Sequence, residues 1–178
     1  MPYDQIGKAY IQLTESLSAK DVLDDYTSNS WLNTQLRSNN PDQIKVQPRV
    51  QALDSLQHPI KYGTVYRVLD DMHPQSDDLD KLKVGDTFTD KGYSSTTSSI
   101  DAIHNVLIPQ MDEYGGEPTH ILHIKLGDNA HGIDVNKVLG KHYFENQREV
   151  ILPRNTTFKK TKEWVDDGIK HHELHIME

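Results

Sequence analysis

The chain has 178 residues, no cysteine and a formal net charge of −8, with 26% of its residues charged. That length can bury a sizeable core, while the absence of thiols excludes disulfide staples and thiolate metal sites. The acidic balance gives no support to a phosphate-backbone partner, which selects stripes of Lys and Arg.

The first third reads as helical. Ile6, Tyr10, Leu13 and Leu17 form one apolar stripe at helical spacing. The run SAKD at 18–21 resembles a capping box that opens a second helix. SWLNTQLR at 30–37 starts a third, carrying Trp31, Leu32 and Leu36. SNNPDQIKVQP reads as loop, after which Pro48 begins a helix bearing Val50, Leu53 and Leu56. From residue 62 the period changes. GTVYRVLD at 63–70 reads as a strand and DDMHPQSDD as a solvated acidic loop. DTFTDKGYSSTT suggests two short strands joined by Asp90-Lys91-Gly92, and SIDAIHNVLIPQM a helix with Ile100, Ile103 and Leu107 on one face. EYGGEP is a loop, and LGDNAHGID a turn following a strand. THILHIKL, REVILP, NTTFKK and KHHELHIM complete a strand-rich second half. No internal repeat or linker interrupts this order. One α+β domain over 1–178 is expected, helical over 1–60 and strand-rich over 61–178.

Three places carry possible chemistry. On a strand, Arg67 shares a face with Val65 and Leu69, so it is an edge residue, a salt-bridged one, or the ligand of an anion in a cleft. GYSSTTSS at 92–99 holds six consecutive hydroxyl residues, either a polar edge strand leading to a helix N-cap or a ladder that orients another side chain. In ENQREVILPRNT, a strand over 149–152 would put Gln147, Glu149 and Ile151 on one side, opposite Val150 and Leu152. Glu145 would join that face only if the strand began earlier.

In order along the chain, Tyr66-Arg67 on a strand, then Gly92-Tyr93 with Ser95-Thr96-Thr97, then Gln147-Arg148-Glu149 before VILPRNTTF, resemble the mono-ADP-ribosyltransferase family. The branch is the one marked by Arg, Ser-Thr-Ser and Gln-x-Glu, with clostridial toxins and phage enzymes among its members. SWLNTQLR resembles that family's helix ending in Asn-x-x-Leu-Arg, placing Asn33 and Arg37, and the resemblance extends over about 20–176. Four positions depart from the pattern. Val68 follows the arginine where glycine is common, and Thr97 replaces the last serine. Asn29 stands where an aromatic often precedes the helix asparagine, and residues 94–124 contain no Lys or Arg to serve as a second phosphate ligand.

The resemblance implies two small antiparallel sheets packed at a steep angle, flanked by the N-terminal helices, with an NAD cleft between. It implies NAD as substrate, cleavage of the nicotinamide–ribose bond and transfer of ADP-ribose to a macromolecule. Glu149 would stabilise the oxocarbenium-like charge, Ser95 would hold Glu149, and Arg67 would grip the pyrophosphate. Val68, Thr96, Thr97 and Asn33 would complete the NAD site. Gln147 would meet the acceptor. A neutral amide cannot deprotonate a guanidinium, which points away from arginine and toward an Asn, Gln or hydroxyl acceptor on a protein, with a nucleobase as the other option. An NAD glycohydrolase using water, and a non-catalytic binding module on the same fold, are the alternatives. No metal is expected: HHELH at 171–175 has one residue between Glu and the second His where a zincin helix has two. No stretch reaches the roughly 20 apolar residues of a membrane span, and MPYDQIGKAY lacks a basic-then-apolar export pattern. A monomer acting in the cytoplasm, its own or that of a host into which it is delivered, is the expectation.

Overall fold

The computed structural model describes residues 18–177. The apolar stripe from Ile6 to Leu17 lies outside them.

Three helices come first: α1 (Ala19–Ser28), α2 (Trp31–Arg37) and α3 (Gln43–Ser55). The capping box is present. Ser18 accepts from the Asp21 backbone N–H, and the Asp21 carboxylate returns to the Ser18 N–H. The third helix begins earlier than Pro48 suggested. Asp42 caps it by accepting from Lys45 N–H, and Pro48 lies inside the helix. A side-chain acceptor that satisfies an orphan N–H set the start here, rather than the fixed φ of proline. Leu56 falls just past the end, as the C-cap.

The strands are β1 (His58–Pro59), β2 (Thr64–Asp70), β3 (Thr87–Asp90), β4 (Ser94–Thr97), β5 (Pro118–Lys125), β6 (His131–Asp134), β7 (Glu149–Leu152), β8 (Thr156–Asp166) and β9 (Ile169–Ile176). Between them lie α4 (Ser76–Lys81), α5 (Ile100–Ala102), α6 (Ile108–Glu113) and α7 (Val135–Leu139). Helix α4 occupies part of the stretch read as a solvated loop, and β6 part of the LGDNAHGID turn. The helix expected over 99–111 is present with a π turn at Ile103–Leu107, where Ile108 N–H bonds to Ile103 O. Pro109 follows at once. A proline in a helix leaves a carbonyl one turn back without its donor, and a widened turn absorbs the mismatch.

The ladders run β1-β6-β7-β4-β2-β5-β9-β8-β3. A single residue pair, Tyr66↔Thr97, joins β4 to β2. The two sheets implied by the resemblance are therefore the halves on either side of that pair. One pairing departs from the antiparallel expectation: β5 and β9 are parallel. They are far apart in sequence, so no tight turn forces them to run in opposite directions. Asp90-Lys91-Gly92 does not make a hairpin either, because β3 pairs with β8 at the far edge while β4 pairs with β7.

Two apolar cores flank the sheet. Val22, Leu23, Tyr26, Leu32, Val46, Val50 and Leu53 pack on Tyr93, Ile133 and Ile151. Val65, Leu69, Leu122, Ile124, Val150, Leu152 and Leu174 pack on the other side. Neighbouring residues of β7 thus point into different cores, as alternation requires. Glu149 lies at the start of that strand on the helix-facing side, where the two halves of the sheet part.

Candidate active site

Two adjoining hollows, of about 370 and 870 Å³, open where β2, β4 and β7 meet α1, α2 and the α5–α6 segment. Both are lined by Arg67, Asp70, His73, Ser95, Gln147 and Glu149. Together they have the size of a site for an extended small molecule.

Glu149 is only 8% exposed. Burial pushes its carboxyl from 4.5 up to about 7, and the bond from Ser95 only partly offsets this. Ser95 is itself held from behind. Tyr26 Oη lies 2.7 Å from Ser95 Oγ, Asn33 Nδ2 donates to Tyr26 Oη at 2.9 Å, and Tyr93 N–H donates to Asn33 Oδ1 at 2.9 Å. The direction of this chain follows from its first link. A backbone N–H can only donate, so Asn33 presents oxygen to Tyr93 and nitrogen to Tyr26. Tyr26 then accepts from Asn33 and spends its own hydrogen on Ser95. That leaves the Ser95 hydrogen for Glu149. Burial and the Glu149 charge push the Tyr26 phenol up to about 12, so it remains a donor across the ordinary pH range.

The α2 helix can approach β4 this closely because residue 92 is glycine. A Cβ there would lie 2.9 Å from Asn33 Oδ1 and 3.0 Å from Arg37 Nε.

The cationic wall is organised around Asp90, which is 1% exposed. Arg37 grips it with Nε and Nη2, both at 2.9 Å, and Arg67 Nη1 lies 3.5 Å from Oδ2. Gly92 N–H and Ser94 Oγ complete its partners. Burial raises the Asp90 carboxyl, yet the bonds and charges of Arg37 and Arg67 outweigh it and hold it below its ordinary value. Burial and the neighbouring Arg37 lower the Arg67 guanidinium to about 10, with Asp90 opposing. Arg67 is therefore a half-buried, paired arginine that lines the cleft.

Gln147 lines both hollows, but not as a strand residue. It ends a 3₁₀ turn at Glu145–Gln147, and Arg148 has a left-handed φ of 47° before β7 begins. The alternation expected from Gln147 to Glu149 is interrupted there, and the turn, not the pleat, brings both side chains to one cleft. Gln147 Nε2 donates to Gln110 Oε1 at 3.2 Å. Glu145 is exposed.

Val68 and Thr96 line the smaller hollow, although the Thr96 hydroxyl donates to Val150 O at 2.6 Å. Asn33 lines the larger one. Thr97 lines neither: its side chain is buried and its hydroxyl accepts from Ser99 N–H. Leu107, Gln110, Met111 and Tyr114 of the helical segment after β4 cover the smaller hollow.

Three participants escaped the sequence reading. Tyr26 sits at core spacing with Val22 and Leu23. Asp90 resembled a turn residue, and His73 a loop residue. The aromatic missing at Asn29 was the one available signal, since Tyr26 supplies an aromatic to Asn33 from the preceding helix.

The mixed α+β fold thus brings a buried carboxylate, Glu149, and an arginine, Arg67, to the walls of one cleft. The sequence matches the family described as ADP-ribosyltransferase exoenzyme over residues 4–176. The chain belongs to that family and is an NAD-dependent ADP-ribosyltransferase. Similar solved structures include Plx2a, an ADP-ribosyltransferase toxin from Paenibacillus larvae (20% identity, 98% of this chain and 94% of that one, TM-score 0.66). Another is an ADP-ribosyltransferase from Clostridium botulinum (18% identity, 100% and 98%, TM-score 0.65). A third is Exoenzyme S from Pseudomonas aeruginosa, solved with human 14-3-3 protein beta and bound to Carba-NAD (16% identity, 88% and 72%, TM-score 0.65). A search of curated protein sequences finds no match.

Proposed function

We infer that this protein transfers one ADP-ribose from NAD to a macromolecular acceptor other than arginine, most simply an Asn, Gln or hydroxyl side chain of a host protein. One observation carries this: the one-way hydrogen-bond chain from Tyr93 to Glu149, ending in a cleft that Arg67 also lines. A carboxylate desolvated and aimed in advance stabilises positive charge growing on a sugar far better than one in water. Glu149 takes that role, Ser95 holds it, and Arg67 holds the pyrophosphate. Val68, Thr96 and Asn33 shape the walls. Thr97 supports the Ser99 turn rather than the substrate.

Gln147 faces the acceptor as a neutral amide, able to bond a carboxamide or hydroxyl but unable to take a proton from a guanidinium. Gln110 steadies it. The family supports action as a toxin-like effector delivered into a host cell, and Exoenzyme S, with a host protein and an NAD analogue, offers a parallel for a protein partner. Among the described residues no helix is long and apolar enough to cross a membrane. NAD consumption needs no metal in this scheme.

The test is incubation of a host-cell lysate with tagged NAD, followed by mass spectrometry. A tagged macromolecule that disappears with Glu149→Ala supports transfer. Free ADP-ribose as the sole product would make the protein a glycohydrolase. No NAD consumption at all would leave a binding module.

A further inference from the structure

His73 lies between β2 and α4 and lines both hollows. Its two ring nitrogens each meet a group that can only donate. Gln75 N–H points at Nδ1 at 3.1 Å, and Arg67 Nη2 is 3.2 Å from Nε2. A neutral imidazole carries one lone pair and one N–H. One lone pair thus serves two donors, and one N–H of the ring must face another N–H. Protonating the ring would make both contacts donor against donor. Burial, then the charges of Arg67 and Arg37, oppose that and push the imidazole down to about 3, with Asp90 acting the other way. The Gln75 backbone N–H cannot turn aside. Nδ1 therefore keeps its lone pair for Gln75, and Nε2–H points toward the guanidinium.

Among the described residues, the corner is one acceptor short. Asp90 cannot fill the gap, because four donors from Arg37, Gly92 and Ser94 already occupy it and its contact with Arg67 is through Nη1, not Nη2. Asp70, the other carboxylate on this wall, accepts from Met72 N–H. Two N–H groups that converge on a cleft with no acceptor between them form a built site for an anion.

We propose that His73 and Arg67 together bind the pyrophosphate of the dinucleotide, each donating one hydrogen bond to phosphate oxygens. This rests on the cleft being the NAD site. It supplies the second phosphate ligand that residues 94–124, without Lys or Arg, do not contain. A neutral imidazole adds a donor there without adding a third cation beside Arg37 and Arg67.

The test is calorimetric titration of ADP into the wild-type protein, His73→Phe and His73→Gln, with thermal unfolding to confirm that each variant is folded. A hydrogen bond to a charged acceptor is worth about 10-fold or more in affinity. His73→Phe is expected to lose about that much for ADP, and His73→Gln, which keeps an N–H of similar reach, to recover most of it. In the unaltered protein, long-range ¹⁵N NMR should show the His73 Nε2 resonance shifting as ADP is added. ADP affinity within about two-fold in His73→Phe, or a static Nε2 resonance at saturating ADP, would overturn the assignment to His73 and leave the NAD cleft standing. A wild-type protein that bound neither NAD nor ADP would overturn the cleft itself, and this proposal with it.

Discussion

Asp90 and Glu149 are both carboxylates taken almost wholly out of water, at 1% and 8% exposure, yet their acidities move in opposite directions. Asp90 has a two-pronged arginine, a second arginine, a backbone N–H and a hydroxyl, and it stays below its ordinary value. Glu149 has one serine and no ion pair among the described residues, and it rises to about 7. Burial alone does not decide the charge of an acid. The partners decide it: cations and donors match the Asp90 charge, while Glu149 has a single serine to set against its desolvation.

The most severe way to erase this contrast is Glu149→Gln. Nicotinamide release should fall by about 10²- to 10³-fold, the range for losing one preorganised charge-stabilising group. The same change should stabilise the fold at alkaline pH. A carboxyl raised from 4.5 to about 7 favours folding fully below pH 4.5 and loses that contribution as pH rises through 7. By pH 8 the ionised Glu149 burdens the fold by up to about 3 kcal/mol. Denaturant unfolding at pH 5 and pH 8 measures it: a gain confined to the higher pH is expected, and equal stabilities at both would remove the contrast.

Asp90→Asn should come next, destabilising by about 3 kcal/mol, because Arg37 and Arg67 would face one another without their shared anion. The sign of its pH dependence is reversed. Asp90 is depressed below 3.8, so its contribution is present above that value and lost as pH falls through the lower folded value. The stability gap between wild type and Asp90→Asn, measured by denaturant unfolding, should be narrower at pH 3 than at pH 7, and an equal gap at both would remove the linkage.

Tyr26→Phe is a subtler change, keeping the ring and removing the hydrogen donated to Ser95. With Ser95 freed to turn from Glu149, the carboxyl should titrate higher still. kcat/KM should then fall by about 10-fold at pH 7 and recover on the alkaline side. A pH profile with the wild-type midpoint would show that Tyr26 only fills space. The smallest effect is expected for Gln147→Ala: transfer to the acceptor should drop several-fold while NAD hydrolysis stays near wild type, and equal loss of both would remove Gln147 from the acceptor side.

Much of the fold was legible because it rests on local rules. The capping box at Ser18, the helix over SWLNTQLR and the strand carrying Arg67 follow from periodicity and terminal chemistry. Alternation from Glu149 onward was legible for the same reason. Errors arose where one local signal outbid another, as when Asp42 capped a helix that Pro48 was expected to start. They also arose where pairing is long-range: β1 and β6 are short and find each other across 70-odd residues, as His58↔Gly132 shows.

Residue types and their order along the chain determined the class of protein: an arginine on a strand, a hydroxyl run, and an amide two before a glutamate. Those are properties of sequence, because each is a short stretch whose residue types and spacing can be read without knowing what packs against it. Tertiary structure alone decided the polarity of the Tyr93–Asn33–Tyr26–Ser95 chain, the burial that lifts Glu149, and the meeting of Arg67 with His73 and Asp90. Hydrogen-bond direction and desolvation are collective. They depend on which groups are brought together and how completely water is removed, and no stretch of chain carries that information by itself.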